Sequence, residues 1–152
     1  MTTPYIPHQN GVAERNNRSI VEAAKAMIHD QSLPLHLWAE AYKTVVYVQN
    51  ISPHKILGNM TPKEAFTGKK PDLSNLRIFG CPVYIHVPND KRTKWEPSGK
   101  NDTFVGYSET SKGYRIYISG QRKIEVSRDV TFDEDTAFRK CKESHSSEDW
   151  EE

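Results

Sequence analysis

The sequence contains little cysteine, and its two cysteines lie sixty positions apart. Cys81 and Cys141 form no CxxC pair and have no histidine at metal-ligand spacing. This excludes a disulfide framework and a zinc knuckle. The histidines are scattered without an HxH or HxxxH pair, so we expect them to be ordinary surface or rim residues.

Long apolar runs are also missing. The longest covers residues 45–48, far short of the about 18 residues that a membrane-spanning helix needs. No basic segment followed by an apolar one opens the chain, so a signal peptide is not indicated. Together these absences predict a soluble intracellular protein of a reducing compartment with no membrane partner.

A strong net charge is the third absence, because 21 Lys and Arg against 20 Asp and Glu leave the 152 residues at +1. Nothing in this total indicates a nucleic-acid or membrane partner. The distribution is uneven, however, with 18 basic and 12 acidic residues over 1–132 but 3 basic and 8 acidic ones over 133–152. The acidic, serine-containing stretch 136–152 is predicted to be disordered.

The chain does contain a modest apolar fraction, 36% hydrophobic and 10% aromatic residues, which is enough for a small core. Residues 1–11 predict an extended lead-in, with Asn10 as the N-cap of a helix over 12–30. A second helix is predicted over 34–50 and a third, opened by a threonine capping box, over 61–67. The apolar stripe of the second helix is Leu37, Trp38, Ala41, Val45 and Val48.

After residue 71 the apolar period changes from that of a helix to the alternation of strands. The predicted strands are 83–87, 103–107, 114–118, 123–126 and 130–132. Five short strands separated by turn residues favour a small barrel, which closes its own edges. The predicted fold class is therefore α+β. The apolar helix faces are left to dock on the barrel, to pair between chains or to remain loosely ordered.

Residues 3–15, TPYIPHQNGVAER, are too particular for an ordinary helix start. They resemble the end of the catalytic core of integrases in the Pol polyprotein of copia-type LTR retrotransposons. Further blocks resemble the same polyprotein in the same order, at 33–41, 61–81, 104–117 and 127–134. The resemblance implies the C-terminal helical part of a ribonuclease-H-like integrase core over 1–70 and a Src-homology-3-like barrel over 77–133.

In such integrases two Asp and one Glu hold two magnesium or manganese ions for attack on a phosphodiester. By its place in the motif Glu14 matches the third carboxylate, while Gln9, Asn10 and Gly11 match a mobile loop beside the active site. The two Asp precede the Glu in the family, whereas residues 1–13 contain no Asp. We therefore expect this chain alone to bind no cofactor and to lack strand-transfer activity. Glu14 would bind metal only if the upstream half were present.

Two groups of basic residues could contact the phosphates of DNA, the partner that the resemblance implies. One group lies on the first helix, and the other surrounds Trp95 in a long barrel loop. The candidates are Arg15, Arg18, Lys25, Lys91, Arg92 and Lys94. The alternative interpretation is a solvated helix face, together with aromatic residues that only fill the core and rim of the barrel.

The resemblance thus implies a fragment of an integrase that takes part in DNA integration and nucleic-acid binding in the nucleus. Because the two upstream Asp are missing, we expect this fragment to be inactive alone. One alternative is a free-standing, non-catalytic module that binds nucleic acid or protein. The other is a relic of a polyprotein gene without function.

Overall fold

The computed structural model describes residues 7–85 and 102–140. In these residues helices come first and strands second, as the α+β prediction requires. In these ranges α1 spans Pro7–Asp30, α2 spans Trp38–Asn50 after a 3-10 turn at Leu35–Leu37, and α3 spans Pro62–Thr67. The strands are β1 Pro82–Ile85, β2 Asp102–Tyr107, β3 Tyr114–Ile118, β4 Lys123–Ser127 and β5 Val130–Phe132. A last helix, α4, spans 134–140. The end of the first predicted strand, 86–87, lies outside the described residues.

The first helix starts earlier than predicted. Gln9, Asn10 and Gly11 lie inside α1, so they form neither an extended lead-in nor a loop, and Asn10 is not an N-cap. The physical reason is that Pro7 suits the first turn of a helix, where its missing N–H costs nothing. The glycine inside the helix costs only about 1 kcal/mol relative to alanine, which a helix of 24 residues can absorb.

The predicted capping of the third helix is confirmed. The Thr61 hydroxyl accepts a hydrogen bond from the Glu64 backbone N–H at 3.0 Å. The helix ends at Gly68, whose φ of 72° is left-handed. This conformation costs glycine little, which explains why a glycine stands at this position.

The strands form one antiparallel sheet in the order β4-β3-β2-β1-β5. Two residues, 128–129, connect its two edge strands, and such a link spans at most about 11 Å. The sheet must therefore curl strongly. Among the described residues no ladder joins β4 to β5, so the predicted closure of the barrel is wrong. β5 pairs along its whole length with β1, and in the described residues its other edge carries no ladder.

Both faces of the sheet are buried. The inner core consists of Cys81, Val83, Phe104, Ile116, Ile118 and Ala137. The outer face is covered by α1 and α2, where Val105 and Tyr117 pack against Ile20, Ala24, Ile28, Leu37, Ala41, Val45 and Phe79. Of the three fates left open for the apolar helix faces, the structure shows docking on the sheet.

The start of the predicted disordered tail is instead helical. Asp133 precedes α4 and its carboxylate accepts hydrogen bonds from the Thr136 backbone N–H at 3.2 Å and hydroxyl at 2.7 Å. Ala137 is fully buried in the inner core, and its carbonyl accepts a hydrogen bond from Gln31 at 3.2 Å. Capping and burial thus outweigh the acidic composition at 136–140. Residues 141–152 lie outside the described residues.

Candidate nucleic-acid interface

The candidate site residues of α1 lie outside its buried stripe. Helical spacing places Arg15 opposite the stripe of Ile20, Ala24 and Ile28, with Arg18 next to it and with Glu14 and Lys25 at the flank. All four are exposed. The structure therefore brings the helical candidates together on one solvent-facing surface, which we call the α1 outer face.

Glu14 lies among cations on this surface. It shares an open concavity with Gly11, Arg15 and Arg18, and the Arg15 guanidinium donates to the Gly11 carbonyl at 3.1 Å. A two-metal centre needs several oxygen ligands in close proximity. The described residues contain no group of three or more His, Cys, Asp or Glu that could hold a metal ion. Glu14 and its described neighbours therefore do not fit the metal pair that the resemblance implies.

The cations of the α1 outer face are only loosely engaged. Arg18 and Glu22 are 3.9 Å apart, one helical turn from each other, and both side chains are largely exposed. An exposed pair of this kind contributes little. The guanidinium of Arg18 is therefore available to a phosphate, as is the exposed amine of Lys25.

The remaining candidates lie on α1 or outside the described residues. Gln9 and Asn10 lie in the first turn of α1, where Asn10 is exposed. Lys91, Arg92 and Lys94 belong to residues 86–101, which lie outside the described residues. Contact of these three cations with DNA stays a prediction.

A buried ion pair that the sequence analysis missed joins the helices to the sheet. Glu40 of α2 is 8% exposed. Its carboxylate accepts hydrogen bonds from Arg115 Nε at 2.7 Å and from Nη2 at 2.9 Å. This paired geometry is the strong form of such contacts, and the hydrogen bonds that Arg115 donates to Glu40 raise the pKa of the Arg115 guanidinium. The signal in the sequence that could have indicated this pair is Glu40 itself, an acidic residue directly before Ala41 of the apolar stripe in the second helix.

A glycine lets α2 approach the sheet. The hydroxyl of Thr44 lies 3.0 Å from the carbonyl oxygen of Val105. A Cβ at Gly106 would lie 2.9 Å from the same hydroxyl oxygen, and the φ of this glycine is +152°. The sheet register shifts at this point, between Phe104 and Gly106. Gly106 thus combines a bulge in β2 with the space that Thr44 needs.

No helix among the described residues is long and apolar enough to cross a membrane. A curled, five-stranded antiparallel sheet with short strands and a helix at its end defines the class of small SH3-like domains. Residues 81–147 match the family model of the retroviral polymerase SH3-like domain. This part of the chain belongs to that family. No solved structure matches the chain.

The similarity to curated proteins extends beyond this domain. The chain is 40% identical over 133 residues to the Retrovirus-related Pol polyprotein from transposon TNT 1-94 of Nicotiana tabacum, covering 88% of the chain and 10% of that polyprotein. It is 33% identical over 131 residues to the Pol polyprotein from transposon RE2 of Arabidopsis thaliana, covering 86% and 9%. It is 31% identical over 125 residues to the Transposon Ty1-LR3 Gag-Pol polyprotein of Saccharomyces cerevisiae, covering 80% and 7%. The chain is thus homologous to one segment of copia-type retrotransposon Pol polyproteins and spans about a tenth of their length.

Proposed function

We propose that this chain is a piece of a retrotransposon integrase that joins the end of the catalytic core to the SH3-like domain and binds DNA during integration in the nucleus. One observation carries the proposal. The helix with Glu14, the position that resembles the third integrase carboxylate, contributes Ile20, Ala24 and Ile28 to the same core as Val105 and Tyr117 of the sheet.

This shared core fixes the position of the SH3-like domain relative to α1. The Glu40–Arg115 pair and the contact of Thr44 with Val105 connect α2 to two neighbouring strands. A DNA duplex bound on the α1 outer face would therefore lie at a defined position relative to the domain. Positioning of this kind is the main contribution that non-reacting parts of a nucleic-acid enzyme make to its chemistry.

Binding by the α1 outer face can be measured with the whole chain and a labelled DNA duplex of about 20 base pairs, using fluorescence anisotropy at several salt concentrations. The combined Arg15→Ala, Arg18→Ala and Lys25→Ala variant should bind more weakly, and the dependence of log affinity on log salt should fall by up to about 3. The combined Arg122→Ala, Lys123→Ala and Arg128→Ala variant is the matched control, because these exposed cations lie at β4 and in the turns on either side of it. An equal loss in both variants would contradict a defined interface.

The same proposal assigns no catalysis to this chain alone. Glu14 is a single carboxylate beside Arg15 and Arg18, and a magnesium or manganese pair requires carboxylates from further chain. Glu14→Gln should leave DNA binding unchanged or slightly stronger, since it removes a negative charge. Magnesium-dependent nicking by the purified chain that disappears in Glu14→Gln would overturn this part of the proposal.

A further inference from the structure

A trough runs along α2 on the side away from α1. Its first part is a hollow of about 420 Å³ between α2 and the turn after β2, lined by Lys43, Tyr47, Asn50 and Ser108 among others. Its second part is a hollow of about 470 Å³ between the end of α2 and α3, lined by Tyr47, Asn50, Lys63 and Phe66 among others. Tyr47 and Asn50 line both hollows, so the two adjoin each other.

Two aromatic side chains are presented along this trough. Phe66 of α3 is 92% exposed, although it lines the second hollow. Tyr47 is supported from behind by Tyr107, with ring centroids 4.3 Å apart and planes inclined by 20°. The hydroxyl of Tyr107 in turn accepts a hydrogen bond from the Arg77 backbone N–H at 3.0 Å. The ring of Tyr47 is thus fixed by its packing on Tyr107, whereas the ring of Phe66 is exposed to solvent.

Cations accompany the aromatic rings. Lys63 precedes Phe66 by three residues on α3, so the two lie on one face of the helix, and Lys43 lines the other hollow. Lys69 and Lys70 follow α3 directly and are exposed. The second hollow has no carboxylate in its described lining. In the first hollow the Glu40 carboxylate is bound by Arg115 at 2.7 Å and lies 3.9 Å from the amine of Lys43, which is itself more than half exposed. Glu109 acts on the Arg115 guanidinium.

We propose that this trough binds single-stranded nucleic acid, with a base stacked on Phe66 and phosphates at Lys63 and Lys43. Exposed aromatic faces alternating with cations are what such strands require, because every unpaired base offers a π-face and every nucleotide a phosphate. Base pairs in a duplex are already stacked, so they cannot use Phe66. The inference rests on the proposed function, since it adds a second DNA-contacting surface to the same integrase segment.

A protein partner fits the trough less well. The cores of protein interfaces are depleted in lysine, whereas Lys63 stands next to the exposed ring and Lys43 lines the neighbouring hollow.

The test uses the whole chain and two labelled probes of equal length and charge, an oligothymidylate of about fifteen nucleotides and an abasic strand of the same length. Phe66→Ala should weaken binding of the oligothymidylate about tenfold and leave the abasic strand unaffected. Lys63→Ala should weaken binding of both probes and reduce the salt dependence by about 0.7. If Phe66 only stabilised the fold, Phe66→Ala would weaken binding of both probes equally.

The matched control is Phe138→Ala with Lys140→Ala on α4, an exposed Phe and an exposed Lys elsewhere on the surface. It should leave both affinities within about twofold. If the control variant loses as much affinity as the Phe66→Ala and Lys63→Ala variants, the trough is not a defined site. The same conclusion follows if Phe66→Ala weakens binding of the abasic strand. If the trough variants bind normally while the Arg15, Arg18 and Lys25 variant does not, the proposed function stands and this inference fails. Absence of binding to any probe by the unaltered chain overturns both.

Discussion

The two faces of the sheet are buried by different parts of the chain. The inner face, with Phe104 and Ile116, is enclosed by the curl of the sheet and by Ala137 of α4. The outer face, with Val105 and Tyr117, is buried by α1 and α2. Because the SH3-like family match begins at residue 81, the inner core belongs almost entirely to that domain. The outer core is completed by helices that precede it.

This difference teaches that a change of sequence period need not mark the border of a folding unit. Strands buried on both faces contain continuous apolar residues, as in the pairs Phe104–Val105 and Ile116–Tyr117. One member of each pair serves the inner core, and the other needs the helices. The pattern changes from helix to strand after residue 71, but the hydrophobic core continues across that point.

The largest effect is expected from removing the helices that cover the outer face. A chain of residues 77–140 exposes Val105, Tyr117 and Phe79, which are buried in the whole chain. We expect it to lose fixed tertiary packing and to bind a hydrophobic dye. The measurement compares the near-ultraviolet circular dichroism of the shortened chain with that of the whole chain, which is the control. A native-like spectrum of the shortened chain would show that the inner core suffices.

The next largest effect comes from truncating one side chain in each core. Phe104→Ala in the inner core should lower the free energy of unfolding by about 3–5 kcal/mol, and Leu37→Ala in the outer core by about 2–5 kcal/mol. Both side chains are almost completely buried. Urea unfolding followed by tryptophan fluorescence and by far-ultraviolet circular dichroism should give coincident curves in both variants, because the cores share the same strands.

The exposed Ile56 provides the control for this pair of variants. Ile56→Ala should change the free energy of unfolding by no more than about 0.5 kcal/mol. Separate transitions for the two probes in either core variant would mean that the helices and the sheet unfold independently.

The helices, the strands and the capping of α3 could be predicted because their signals are local. The Thr61 cap and Gly68 end are contained in eight residues, and alternation identified the strands. Docking of the helices, the pairing of Glu40 with Arg115 and the space at Gly106 depend on contacts between distant segments. These could not be read from local patterns.

Errors at the ends of elements have the same origin. The helix at α1 extends through Asn10, where a polar run containing glycine indicated a lead-in. Trp38 has the spacing of the α2 apolar stripe but is 64% exposed, whereas Leu37, Ala41 and Val45 of the same stripe are buried in the outer core. The α1 outer face could be grouped from sequence, since its residues follow helical spacing. The trough could not, since it combines Tyr47, Phe66 and a strand turn.

A moderate effect is expected from the ion pair that joins α2 to the outer side of the sheet. Glu40→Ala leaves the Arg115 guanidinium half-buried without its carboxylate and should cost about 2 kcal/mol. Replacing both residues, as Glu40→Leu with Arg115→Met, should recover most of that loss, since an apolar pair of similar volume removes the unpaired charge. Thermal unfolding at neutral pH measures both. A double variant as unstable as Glu40→Ala would show that the pair has a role beyond mutual neutralisation.

The smallest effect concerns α4, the helix that closes the inner core. Hydrogen bonds from Thr136 lower the pKa of the Asp133 carboxyl. A carboxyl with a lowered pKa stabilises the fold above its ordinary pKa of about 3.9, and the stabilisation is lost as the pH falls through the lowered value. Asp133→Ala should therefore lower the melting temperature at neutral pH, and the difference should shrink as the solution is acidified.

Asp133→Asn separates capping from titration in the same helix. Asparagine also caps helices but does not ionise, so this variant should keep most of the stability at neutral pH and lose the pH dependence. Because Ala137 is fully buried in the inner core, loosening of α4 should also expose the neighbouring thiol of Cys81, whose pKa burial raises to about 12. Alkylation of Cys81 should consequently be faster in Asp133→Ala than in Asp133→Asn. Equal rates would mean that the inner core stays closed without the cap, and that only the outer core depends on a neighbouring helix.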